Sequence, residues 1–488
     1  MRPTLSQARE MAKGSRVIPV AMEMYADVTT SMQLLRRIRA GGRRCFMLES
    51  AKSGETRGRY TFLGYDPRLT VCGRDGRIEI SDGHRVQRET GNPIPVLRRI
   101  LRDYQSPSVP ELPPFTGGFV GYFSYDCIRY FEPSLRLKAA DEEQFDDFQL
   151  MLIDRVIAFD HFAQKIFLIA NIRTENLENN YINAVAVLKD MERLVLSDSA
   201  APQETPSVCG PFTARFSKEE YCAMVEKVKA YIREGDIFQA VPSNRLSAPF
   251  SGSLLPVYRR LRVMNPSPYM VYFDFGNLEI AGASPETLVS LQNGELSTYP
   301  LAGTCPRGAV REEDEALVQA LLSDEKELAE HDMLVDLGRN DLGKISRFGS
   351  VKVREYRTVR HFSHVSHIAS RVTGEIRPDR DALDAVAAAL PAGTLSGAPK
   401  KRACEIIDEL EGAKRGPYGG ALGYIDFTGG MDMCIGIRMA VHQNGKVFVQ
   451  SGGGVVADSI PEKEYEETIR KAGAVLRALE EDGHDFAD

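Results

Sequence analysis

The 488-residue chain contains no tryptophan. Its eight cysteines, at 45, 72, 127, 209, 222, 305, 404 and 434, form no C-x-x-C, and their spacing suggests neither a disulfide ladder nor a zinc knuckle. They read as scattered thiols of a reducing compartment. No apolar run approaches the roughly 18 residues of a membrane span. The first residues, MRPTLSQAREMAKGSRVIPV, lack the apolar core of a secretory signal. The expected location is therefore cytoplasmic, with no membrane partner. A basic excess is missing too. Lys and Arg number 61 against 68 Asp and Glu, a formal charge of −7, which argues against a nucleic-acid partner. An anionic substrate then needs a local cation or metal. Apolar residues are 43% and charged residues 26%, so the chain can bury a sizeable core and wholesale disorder is excluded.

A linker is expected at 197–215. It opens SDSAAPQETPSVCGP, with neither helical nor strand periodicity. It separates an N-terminal lobe, 1–196, from a larger domain, 216–488. In the lobe, short β-branched or aromatic runs at 45–48, 60–63, 69–72, 150–158 and 165–170 read as strands. Residues 32–39 and 182–196 read as helices. After the linker, Ser217 and Glu220 form a capping box, Tyr221, Val225, Val228, Tyr231 and Ile232 form an apolar stripe, and Gly235 ends the helix. Strands are expected at 269–275, 287–291, 434–441 and 446–450, and helices at 314–336, 399–410 and 461–480. The elements alternate without a βαβ rhythm. That points to an α+β layered sandwich rather than a doubly wound sheet.

Two helical segments carry paired carboxylates. Glu327 and Glu330 are three apart in SDEKELAEHDMLVDLG, and Glu464 and Glu467 repeat the offset in SIPEKEYEETIRKAG. Such pairs share a helix face. Two of them could close around one hard cation such as Mg²⁺. Equally, acids at helix starts favour the macrodipole and sit in water, and spacing alone leaves both readings open. His361, His364 and His367 form H-x-x-H-x-x-H in an extended segment, where positions three apart face opposite sides. That disfavours a three-histidine metal site, and one histidine acting as proton donor or orienter in a cleft fits better. GTLSGAP, with Thr394 and Ser396, precedes a helix, and QSGGGVVADS follows a strand. Either can hold an anion on backbone amides, or be a plain turn. Arg438 lies in CIGIRMAV, an expected apolar strand, and its fork suits a carboxylate.

Together these stretches resemble the chorismate-binding enzyme family. The resemblance covers nearly all of 216–480, through GDIFQAVPS, ASPETLVSL, PLAGTCPRG, ELAEHDMLVDLGRNDLG, HVSHIASRVTGEI, PAGTLSGAPKKRACEII, GPYGGALGYIDF, IGIRMAV and QSGGGVVADSIPEKEYEET. FMLESAKSG and GGFVGYFSYD extend it into the first half. It implies a layered α/β/β/α sandwich with an N-terminal regulatory lobe. Members that add water to chorismate carry Lys where this chain has Gln239. Water needs a general base, whereas ammonia brings its own lone pair. Members that use a covalent lysine have it where this chain has Ala302. The resemblance therefore implies the anthranilate-forming branch, which converts chorismate and ammonia to anthranilate and pyruvate. Aminodeoxychorismate or isochorismate formation is the nearest alternative, and a catalytically silent tryptophan-sensing subunit is the alternative of another class.

The resemblance also implies the site. Mg²⁺ is held by Glu330 and Glu467 with Glu327 and Glu464 in support. Chorismate is held by Gly303, Thr304, Thr394, Tyr418, Arg438 and the amides around Gly452, Gly453 and Gly454. Glu286 is the proton donor to the departing hydroxyl, and His367 orients or protonates the departing group. Tryptophan, as feedback inhibitor, contacts Ser50, Pro268, Tyr269 and Met270. A separate glutamine amidotransferase subunit supplies ammonia, in a heterotetramer. Cys305 departs from the family, standing where many relatives have Arg.

Overall fold

The computed structural model describes residues 1–50, 58–197, 206–308, 310–361 and 365–480. Among these, two twelve-stranded sheets dominate, and their strand pairs are antiparallel. The first runs through Val17–Tyr25, Lys165–Arg173, Arg155–Asp160, Tyr60–Tyr65, Cys45–Glu49, Tyr269–Asp274, Leu278–Ser284, Met439–Gln443, Lys446–Gly452 and Ser243–Ser251. The second runs through Leu301–Pro306, Val365–Glu375, Glu295–Thr298, Thr287–Gln292, Met431–Ile435, Ala421–Asp426, Gly118–Phe123, Phe148–Ile153, Leu69–Arg74 and the hairpin that follows it. Each sheet draws strands from both sides of 197–215. Cys45–Glu49 pairs with Tyr269–Asp274, and Gly118–Phe123 pairs with Ala421–Asp426.

Side-chain alternation explains the layers. Successive residues of a strand face opposite sides of a sheet. Phe46, Val271 and Phe273 enter the core between the two sheets. Their neighbours Cys45, Met47, Met270 and Tyr272 enter a second core on the other face. That second core is covered by residues of Ser31–Ala40, Leu177–Leu196, Leu255–Met264 and Pro461–Glu480. On the second sheet's outer side lie Glu325–Gly343 and Ala382–Ala389. Because the strands are buried on both faces, they read as near-continuous apolar runs. The order helices, sheet, sheet, helices is the α/β/β/α sandwich expected. Among the described residues no helix is long and apolar enough to cross a membrane.

Three expected elements differ. The run 150–158 is two strands broken at Asp154, which passes the chain from one sheet to the other. The expected helix 314–336 is two, Arg311–Leu322 and Glu325–Gly343, because Asp324 caps the second by accepting from the amides of Lys326 and Glu327. The expected strand 434–441 is also two. Met431–Ile435 belongs to the second sheet and Met439–Gln443 to the first. Both halves are apolar because both are buried, and only Gly436 and Arg438 mark the crossing between them.

Candidate active site

The glutamate pairs sit at the starts of two helices, Glu325–Gly343 and Pro461–Glu480. The capping by Asp324 places Glu327 in the first turn and Glu330 one turn on. Glu330 is held above the ordinary carboxylate range, first by burial and then by the charges of Glu327 and Glu467. Glu327 is raised by burial, then by Asp324, with Glu467 also contributing. Glu464 is raised by burial, and Glu467 acts on it as well. The four carboxylates therefore share one electrostatic neighbourhood, with Glu467 common to the other three. Gln239 Nε2 donates to Glu330 Oε1 at 3.3 Å.

The glycine loop lies against this cluster. A Cβ at Gly453 would stand 2.8 Å from Glu464 Oε2, and one at Gly454 would stand 2.4 Å from Gln239 Nε2. A side chain at either position would displace the end of Glu464 or Gln239, so the glycines leave room for both. A Cβ at Gly452 would lie 3.1 Å from the Tyr418 hydroxyl, so loop and tyrosine touch. Gly303, at φ +67°, faces Glu327 Oε2, which lies 3.3 Å from its would-be Cβ. His367 Nδ1 donates to the Gly303 carbonyl at 3.0 Å. Burial lowers the His367 pKa, so the ring is neutral and its lone pair is on Nε2. Thr304 pairs with His367 across the strands, and its side chain lies outside the described residues, as does His364. His361 ends the neighbouring strand, exposed, with Nδ1 2.8 Å from Ser366 Oγ.

Glu286 is half-buried, and the desolvation of its carboxyl pushes it up to about 8. Thr394 Oγ1 donates to its Oε1 at 3.1 Å, and the Lys471 charge also reaches it. Thr394 thus serves Glu286 rather than standing apart in an anion loop.

Arg438 requires a correction. The expected strand position is a left-handed residue, φ +53°, at the crossing between sheets. Its guanidinium donates to the Lys471 carbonyl. Tyr418 and Glu467 are charge neighbours of Arg438, and Arg438 in turn acts on His367. Sequence reasoning missed Lys471. Its Nζ lies 2.6 Å from Glu467 Oε1 and donates to Gly452 O at 2.9 Å. The four-residue offset from Glu467 was the available signal.

The donor set suits a hard divalent cation. It is all oxygen, Glu327, Glu330 and Glu464 are raised first by burial and then by acidic neighbours, and within hydrogen-bonding range one lysine partners Glu467. Among the described residues, no three acidic, histidine or cysteine side chains stand close enough to form a finished cage. Mg²⁺ characteristically takes one or two carboxylates and completes its shell with water and substrate oxygens.

A second site lies elsewhere. Ser50, Pro268, Tyr269 and Met270 all line one cavity of about 560 Å³, together with Phe62, Thr287, Tyr424 and Asp432. Tyr269 spans the sheets, its hydroxyl 2.8 Å from Asp432 Oδ1 and 2.9 Å from Thr287 Oγ1. Thr287 adjoins Glu286, so the cavity lining and that carboxyl are one peptide bond apart along the chain.

A sandwich of two antiparallel sheets with acidic helix starts converging on a glycine loop defines the class. The model of the chorismate binding enzyme family matches residues 43–477, and the chain belongs to that family. It is 47% identical over 491 residues to an anthranilate synthase component 1 of Acetivibrio thermocellus, covering 99% of both chains. It is similar to a crystal structure of anthranilate synthase component I from Streptococcus pneumoniae TIGR4, with TM-score 0.75, 38% identity, and 87% and 93% of the two chains covered. The menaquinone-specific isochorismate synthase MenF of Escherichia coli shares the fold at TM-score 0.70 and 18% identity, covering 98% and 99%.

Proposed function

We propose that this chain forms anthranilate and pyruvate from chorismate and ammonia, as the first component of an anthranilate synthase. The observation that carries the reading is the placement of Glu286, a half-buried carboxyl that accepts from Thr394 Oγ1 at 3.1 Å and is reached by the charge of Lys471, the lysine paired with Glu467. The relatives named above support it across nearly the whole chain.

Chorismate is a dianion, and this protein is itself acidic. Mg²⁺ held by Glu330 and Glu467, with Glu327 and Glu464 in support, supplies the positive charge that the ring carboxylate needs. Arg438, Tyr418 and the amides around Gly452, Gly453 and Gly454 hold the enolpyruvyl carboxylate. Gly303 and Thr304 line the ring. Gln239 is an amide and cannot deprotonate water at neutral pH. Its Oε1 is buried with no hydrogen-bond partner among the described residues, so it can accept from an ammonia N–H. Ala302, nearly buried, offers no nucleophile, which removes a covalent route.

Ammonia attacks C2 while the C4 hydroxyl departs, and Glu286 supplies the proton that turns that hydroxyl into water. Its high pKa makes it an acid at working pH. His367, with Nδ1–H given to the Gly303 carbonyl, orients the departing group. The C2 proton is lost as the C3–O bond breaks, pyruvate leaves and the ring becomes aromatic. A separate glutamine amidotransferase supplies the ammonia. The 560 Å³ cavity holds tryptophan as feedback inhibitor, with Ser50, Pro268, Tyr269 and Met270 as contacts.

Incubation with chorismate, Mg²⁺ and ammonium tests the reading. Blue-fluorescent anthranilate is expected. Isochorismate, or an aminodeoxychorismate that persists, would overturn it. Glutamine is expected to replace ammonium only when the amidotransferase is added.

A further inference from the structure

One guanidinium closes the base of the ribbon that carries two parts of this site. Gln239–Ala240 pairs with Gly397–Ala398 as a two-stranded ribbon, and Ala240 also bridges Val455 just past the glycine loop. Gln239, on its first strand, reaches Glu330. Thr394, three residues before its second strand, reaches Glu286. Just beyond the paired residues, at the same end, the Val241 amide donates to Ser396 O at 3.0 Å. Arg415 meets both chains there. Its Nη1 donates to Leu395 O and its Nη2 to Val241 O, each at 2.7 Å.

The arginine is itself over-determined. It is 2% exposed. Its Nε donates to Glu411 Oε2 at 2.9 Å, and Nη2 also reaches Glu411 Oε1. Glu411 Oε1 accepts in addition the amide of Ser243 at 2.7 Å and its hydroxyl at 2.8 Å. The guanidinium carbon lies 4.4 Å from the ring centre of Tyr125 and 5.5 Å from that of Tyr418. A fork of fixed planar geometry therefore joins two backbone carbonyls, one carboxylate and two rings. A buried pair of this kind is a weak source of stability on average, and a fixed geometry is what it adds.

We propose that Arg415 is a positioning residue for the reaction, which holds Gln239 against Glu330 and Thr394 against Glu286 in one register through the carbonyls of Val241 and Leu395. In the proposed reaction the first contact serves the ammonia side and the second the proton donor. Freeing the ribbon base lets the two drift separately, and displacements near 1 Å cost on the order of a hundredfold in rate.

The inference rests on Glu286 as the proton donor, and the experiment separates the two. Arg415→Lys keeps the charge on Glu411 but cannot span both carbonyls. It is expected to lower kcat on the order of tenfold or more, with the KM for chorismate moving much less. The groups acting on Glu286 are Thr394, which lowers its pKa, and Lys471, which lowers it also. Loosening Thr394 therefore moves the basic limb of the kcat–pH profile upward, in the direction of Thr394→Val. The double variant Arg415→Lys/Thr394→Val should show no further shift. Should Arg415→Lys fail to fold, the neutral pair Glu411→Gln/Arg415→Gln removes the fork without leaving a buried charge unpaired, and is read in the same way. A variant that melts earlier yet keeps the parental kcat and basic limb would overturn the inference, as would shifts that add in the double variant. Parental activity in Glu286→Gln would instead remove the proton-donor reading.

Discussion

Lys471 Nζ bridges Glu467 Oε1 at 2.6 Å and Gly452 O at 2.9 Å, tying the acidic cluster to the glycine loop one turn after the carboxylate it pairs with. Its charge also acts on Glu286 and His367. The acidic cluster, the glycine loop, Glu286 and His367 thus meet around one ammonium group. Glu467 is the most shared acid of the cluster, since it acts on Glu327, Glu330 and Glu464.

Glu467→Ala is therefore expected to lower anthranilate formation at least on the order of a hundredfold, because an all-oxygen Mg²⁺ site with few protein ligands tolerates no loss of one. The side chain is 36% exposed, so folding should be little affected. The measurement is the fluorescence rate against Mg²⁺ concentration, with thermal melting as control. A half-saturating Mg²⁺ concentration equal to the parent's would remove Glu467 from the site.

Glu286 gives a pH prediction with a definite sign. It stays protonated up to about pH 8 when folded, against an ordinary value of 4.5. Between those two values the folded chain binds a proton that the unfolded chain releases. Its stabilising contribution is full below about 4.5 and is lost as pH rises through about 8. Glu286→Gln cannot ionise and should cancel that slope. The melting temperature of the variant, minus that of the parent, should grow from pH 5 to pH 9. Its activity should fall by two orders of magnitude or more, the range of general acid catalysis. A constant difference across that range would show that the carboxyl ionises normally.

Much of this site was legible because its chemistry is local. The two E-x-x-E pairs, the glycines of 452–454 and the Ser217 capping box are short-range patterns, and the structure places each at a helix start or a loop end. What was not legible is where the chain changes layer. At 434–441 and at 150–158, apolar residues flank the crossing on both sides because both strands are buried, and 436–438 and 154–155 are too short an interruption to read as a change of sheet. Arg438 read as a strand residue for that reason, when its role depends on a left-handed turn between sheets. The cap at Asp324 was visible in SDEKE and divides a helix that apolar periodicity alone runs together. Arg415 offered only its four-residue offset from Glu411, since the carbonyls it joins are 20 and 174 residues away.

The tryptophan cavity can be tested without background, because the chain has no indole of its own. Emission from added tryptophan reports the ligand alone. Ser50 lines the cavity beside Met270 and Tyr269, and Ser50→Phe fills part of that volume. Tryptophan needed for half inhibition should rise on the order of tenfold or more, a little over 1.4 kcal/mol, while the uninhibited rate stays near parental. Unchanged inhibition would remove Ser50 from the site.

Phe115 joins the two sheets behind that same cavity. Its ring centre lies 6.2 Å from Phe46 and 5.5 Å from Phe62 on the first sheet, and 4.5 Å from Tyr424 on the second. It is fully buried. Phe115→Ala is expected to cost about 3–5 kcal/mol of stability, through lost burial and an unfilled cavity. Phe62 and Tyr424 line the 560 Å³ space and lose their support. Tryptophan inhibition should therefore weaken at temperatures where the variant stays folded. The catalytic groups lie on other elements, so the uninhibited rate should hold there. Denaturant melts with inhibition curves check both, and a destabilised variant with parental inhibition would show that the ring supports the core without shaping the cavity.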